Sequence, residues 1–129
     1  MALTRMKISS GAPWESTFGY SRAVRVGDQV FVGATVGRNA DGSAASGPYA
    51  QARRALEIIG TALIEAGGTL DDVVRTRIFV TDFADFDEIA RAHGEVFRDI
   101  RPVNTSYIVA GLLDPRWLLE IELEAVVSG

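Results

Sequence analysis

Three glutamates alternate with apolar residues in Leu119-Glu120-Ile121-Glu122-Leu123-Glu124-Ala125, near the end of a 129-residue chain that carries one histidine and no cysteine. On a strand the alternation puts all three carboxylates on one face, about 7 Å apart, where like charges repel and need solvent or cations. Two readings follow. The carboxylates form an ion-pair ladder with Arg22, Arg75 or Arg77, or one of them positions a water or a proton in a cleft. Spacing alone does not say which glutamate that would be.

His93 falls on the apolar stripe of a helical segment, where a histidine is either a hydrogen-bonded core or interface residue or the acid-base group of a site. It is the one side chain of ordinary pKa near neutrality. The run Arg101-Pro102-Val103-Asn104-Thr105-Ser106-Tyr107 brings small amide and hydroxyl groups to a helix end and a strand start, a place where pockets open and also where Asn and Thr cap turns. Trp14 and Trp117 line a pocket or sit at a rim.

Composition removes other chemistries. Without cysteine there is no thiol nucleophile, disulfide, zinc ribbon or iron-sulfur site, and one histidine per chain cannot build a three-histidine metal site. Only oxygen ligands remain for a metal, and no metal site and no cofactor is expected. A Gly-x-Ser-x-Gly elbow, a Walker A loop and a G-x-G-x-x-G fingerprint are all absent, Gly33-Ala34-Thr35-Val36-Gly37 being too sparse in glycine. Thirteen Lys and Arg against seventeen Asp and Glu leave a net charge of −4, which argues against binding a nucleic-acid backbone. Apolar runs such as Val30 to Val36 are too short to cross a membrane, and the first ten residues lack the apolar core of a signal peptide. The expected compartment is the cytoplasm, and the length suits a single domain over residues 1–129.

Positioning these residues requires a β-β-α-β-α-β-β order, with a further short strand near Met6 to Ser9. Tyr20 to Arg25 and Val30 to Val32 flank a turn at Gly27-Asp28. Arg38 to Gly47 is a loop by composition, and Pro48 opens a helix whose Ala52, Leu56, Ile59, Leu63 and Ala66 make one apolar face before Gly67-Gly68. Val73 to Val80 reads as a strand with Val74, Thr76, Ile78 and Val80 on one face and Arg75, Arg77 and Phe79 on the other. A second helix, capped by Asp82 or Asp85, carries Phe86, Ile89, Ala90, His93, Val96, Phe97 and Ile100 and stops at Pro102. Ser106 to Ala110 and Leu118 to Val127 are the last strands. Two helices cover one face of such a sheet, yet the other face carries Phe31 and Phe79, so burial against other copies of the chain is expected.

Tyr20-Ser21, Gln51-Ala52-Arg53, Ala66-Gly67, Arg75 to Asp82, Asp85-Phe86, Phe97, Arg101-Pro102 and Glu120 to Ala125, in that order, resemble the RidA/YjgF family, also called the endoribonuclease L-PSP family. The resemblance, from about Tyr20 to Val127, implies an α+β, chorismate-mutase-like mixed sheet with two helices packed on one face. It also implies a homotrimer with a small-molecule pocket at each subunit boundary. Its best-known members hydrolyse enamines and imines to 2-oxo acids and ammonia. It assigns Glu122 to orienting the hydrolytic water and places Tyr20, Gly33, Thr35, Thr105 and His93 at the pocket. The family arginine that grips the substrate carboxylate is here Asn104, which offers neither charge nor a guanidinium fork and should weaken a 2-imino acid by roughly 1–3 kcal/mol. Arg22, two residues from Tyr20 on the same strand face, is placed to supply the missing charge. The expected partners are other copies of the chain and a small metabolite, with turnover as a hydrolase or binding without it. The ribonuclease of the family's older name suits an acidic chain with one histidine poorly.

Overall fold

The computed structural model describes residues 4–128. A six-stranded sheet runs in the order β1-β2-β3-β6-β4-β5, from β1 (Arg5–Ile8), β2 (Ala23–Val26), β3 (Gln29–Thr35), β4 (Val73–Val80), β5 (Val103–Ile108) and β6 (Leu119–Val126). All neighbours are antiparallel except β4 and β5. That parallel pair needs a crossover, which α3 (Phe86–Phe97) supplies. α2 (Pro48–Glu65) packs beside it on the same face, and a single turn, α1 (Glu15–Phe18), precedes β2.

Each helix begins where the chain chemistry allows it. Gly47 takes a positive φ of 90° and hands over to Pro48, whose missing N–H is no loss in the first turn. The Asp82 side chain accepts from Ala84 N at 2.9 Å, capping the 3₁₀ turn Phe83–Asp85 that feeds α3. Gly37 is required by contact: a Cβ there would lie 2.5 Å from Gln51 Cα. Gln51 itself is buried, and its amide ties the start of α2 to the Ala45 and Arg116 carbonyls and to Leu118 N, at 3.2, 3.1 and 2.9 Å.

The core lies between helices and sheet, where Ala52, Leu56, Ile59 and Leu63 of α2 and Ile89 and Phe97 of α3 meet Val30, Ile78, Val80, Leu119, Ile121 and Leu123. The opposite face has no covering layer among the described residues. It carries Phe31 at 45% exposure, Tyr107 stacked on Phe79 with centroids 5.9 Å apart, and the three glutamates.

Several sequence expectations shift. β5 starts at Val103 rather than Ser106, because pairing with β4 begins directly after Pro102 and takes up the residues read as turn caps. A register shift between Val73 and Arg75 turns Val74 outward to 46% exposure. On α3 the buried small residue is Ala92, with Ala90 exposed. Trp117 is buried and Trp14 half-exposed. No helix among the described residues is long and apolar enough to cross a membrane.

Candidate functional site

Strand alternation delivers Glu120, Glu122 and Glu124 to the open face of β6, and register with β4 sets Arg77 opposite Glu122. Arg77 Nη1 donates to Glu122 Oε2 at 3.0 Å and to Glu124 Oε1 at 2.9 Å, while Arg75 Nε stands 3.6 Å from Glu124. These hydrogen bonds, the one to Glu124 foremost, hold the Arg77 guanidinium above its usual pKa. The ion-pair ladder is thus present with Arg75 and Arg77. Arg22 makes no ion pair among the described residues.

Glu120 is the exception in the row. Among the described residues it has no hydrogen-bond or ion-pair partner, and burial first, then the neighbouring Glu122 charge, pushes its carboxyl above the usual range. The sequence signal was the same alternation for all three glutamates; what separates them is the position of Arg75 and Arg77 on the next strand, invisible until register is known.

Glu122 and Glu124 share a cleft of about 250 Å³ with Ser21, Arg22, Val24, Phe31 and Gly33. Arg22 Nη1 donates to Thr35 Oγ1 at 2.9 Å, and the Thr35 hydroxyl donates to Gly33 O at 2.8 Å. Burial lowers the Arg22 pKa. A guanidinium that has left water for one neutral hydroxyl has most of its donors uncommitted. Tyr20 precedes this group, with its ring edge-on to Phe18 at 5.7 Å. Arg22 and Gly33 therefore line the cleft beside Glu122, and Tyr20 comes just before Arg22 ahead of β2. Thr35, buried and opposite Ile121 in register, lies on the helix side of the sheet, where Arg22 also lines a second pocket with Arg54, Thr61 and Glu65 of α2.

The remaining three sit elsewhere. Asn104 Nδ2 donates to Thr76 Oγ1 at 3.0 Å on the helix side of the sheet, and that hydroxyl lies 2.9 Å from His93 Nε2. Ser106 Oγ donates to Asn104 Oδ1 at 3.0 Å. The His93 ring packs on Phe97 with centroids 4.7 Å apart, and burial lowers its pKa. Thr105, opposite Arg77 in register, is on the other face. Thr76 is the member of this cluster that sequence reasoning passed over, since a buried β-branched residue on a strand carries no signal of a polar contact.

Two groups thus exist in one chain, separated by β6 and β4. Three strand spacings lie between β3 and β5, about 14 Å. Glu122 on the open face and His93 on the helix side do not converge on a single cavity within the chain.

Comparison with known proteins accords with this architecture. An uncharacterised protein of Streptomyces coelicolor is 39% identical over 120 residues, 92% of this chain and 90% of that protein. The 3-aminoacrylate deaminase RutC of Acinetobacter baylyi is 40% identical over 72 residues, 56% of each chain. A crystal structure of a Mycobacterium tuberculosis member of the YjgF/YER057c/UK114 family superposes with a TM-score of 0.88 at 45% identity, covering 96% of this chain and all of that one. The profile of the endoribonuclease L-PSP family matches residues 11–127, so with its mixed sheet backed by two helices the chain belongs to that family, the RidA/YjgF family.

Proposed function

We propose that the chain is a cofactor-free hydrolase related to the enamine and imine deaminases, with its site completed at the boundary between copies of a homotrimer and its substrate altered by Asn104. The observation that carries this reading is the split of the site. The cleft holding Arg22, Gly33 and Glu122 opens on the uncovered face, whereas Asn104 and Thr105 lie on β5, the free edge of the same sheet. A neighbouring copy laid against that face would bring its β5 to the cleft.

In this reading Glu122 orients the hydrolytic water, His93 is the acid-base group, and Tyr20, Arg22, Gly33, Thr35, Asn104 and Thr105 hold the substrate. Glu120, whose pKa is raised by burial and which has no partner among the described residues, is a second water-orienting carboxylate to be tested beside Glu122. The named activity of the Acinetobacter relative, a deaminase, supports the reaction class. Purified protein is expected to speed ammonia release from at least one imine or enamine in a panel with and without carboxylates. Either Glu122→Ala or Glu120→Ala should abolish that rate. Rates equal to buffer across the panel contradict the proposal.

One observation favours a second reading, a trimer that holds or sequesters a metabolite without turnover: the Glu122 charge is already answered by Arg77. Thermal-shift screening followed by recovery of intact ligand supports that reading, and recovery of a converted product excludes it.

A further inference from the structure

Thr76 is fully buried on β4, and its hydroxyl stands between polar side chains of two other elements, 2.9 Å from His93 Nε2 on α3 and 3.0 Å from Asn104 Nδ2 on β5. The orientation of the Asn104 amide and valence together set where the protons sit. The amide nitrogen of Asn104 only donates, and its oxygen already accepts the Ser106 hydroxyl at 3.0 Å, so one lone pair of Thr76 Oγ1 is taken. Were His93 Nε2 a second donor, the Thr76 hydroxyl hydrogen would be sealed in the core with no acceptor, because among the described residues that oxygen has no third partner. Buried hydroxyls in folded proteins do find acceptors. The reversed amide would put the imidazole hydrogen on Nε2, whereas with the Asn104 nitrogen toward Thr76 and its oxygen toward Ser106 the arrangement that satisfies every atom has Thr76 donating to Nε2.

The imidazole hydrogen is then on Nδ1. Among the described residues Nδ1 has no protein partner, and no buried side-chain nitrogen or oxygen is left without one, so Nδ1 opens to accessible space. We infer that Thr76 is a positioning residue that locks His93 as its Nδ1–H tautomer, so that the protein presents to its ligand a hydrogen-bond donor matched to a carbonyl or carboxylate oxygen. The tautomer stands on the contacts within one chain, while its use toward a ligand rests on the boundary site proposed above.

The chain has a single histidine, so long-range ¹H–¹⁵N correlation of the imidazole in the intact ¹⁵N-labelled protein near neutral pH gives one unambiguous pattern. The expected pattern is a protonated Nδ1 and an acceptor-type Nε2. Thr76→Val keeps the shape and removes the hydroxyl; its Nδ1–H preference should be lost, and Thr76→Ser should restore it. A wild-type Nε2–H pattern overturns the inference, as does an unchanged pattern in a folded Thr76→Val protein. If the valine variant fails to fold, the wild-type pattern together with retention in Thr76→Ser decides the matter. Titration with pyruvate, a 2-oxo acid, should move the Nδ1 resonance in wild type more than in Thr76→Val. An Nδ1–H wild type that does not respond to pyruvate overturns the ligand-facing role alone, and hydrolysis assays judge the enzyme reading separately.

Discussion

At the level of single residues, the lone histidine is bounded by burial and by one hydroxyl. Because burial depresses the folded pKa of His93, the unfolded chain binds the extra proton first as pH falls. The contribution to stability is therefore fully present above the unfolded value of about 6.5 and is lost as pH falls from there through the folded pKa. Urea unfolding at pH 7.5 and at lower pH is expected to show this loss, and His93→Gln to remove that part of it. Glu120 carries the opposite sign. Its raised pKa means that the ionised carboxylate is disfavoured in the folded chain at neutral pH, so Glu120→Gln should raise Tm at pH 7. A lowered Tm would show that an unseen cation answers Glu120 in the assembled protein.

Among the elements, α2 is anchored by Gln51 and by the approach that Gly37 permits. Gln51→Leu removes three hydrogen bonds to buried or half-buried backbone and should cost about 2–4 kcal/mol, read from the urea midpoint at constant m. Gly37→Ala forces a Cβ into the Gln51 backbone and should be at least as damaging. The helices and the hairpin were legible in the sequence because period and turn signals agree there: Ala52, Leu56, Ile59 and Leu63 all prove buried, and the Gly27-Asp28 turn is where it was expected. The start of β5 was not legible. Asn104 and Thr105 are turn-formers by local preference, and only pairing with β4 makes them strand residues. The same limit hid the site's division. Alternation told that Glu120, Glu122 and Glu124 share a face, but Arg77 opposite Glu122 and Thr76 between Asn104 and His93 are products of register and of an α3 crossover, neither of which has a sequence period.

At the scale of the whole molecule, the uncovered face with Phe31, Phe79 and Tyr107 calls for a second layer that the described residues do not provide. Light scattering at micromolar concentration is expected to give three times the 13.9 kDa chain mass. Phe31→Glu, which adds a fourth negative charge beside Glu124, should shift the population toward monomer without unfolding it. A wild-type monomer would remove the basis for a shared site.

The central claim is that the site is divided between copies, and a crystal structure of the wild-type protein soaked with a 2-oxo acid such as pyruvate tests it most directly. The ligand is expected between Arg22, Gly33 and Glu122 of one protomer and Asn104 and Thr105 of its neighbour. A ligand held wholly within one chain, or a clear boundary cleft that stays empty at saturating ligand, would contradict it.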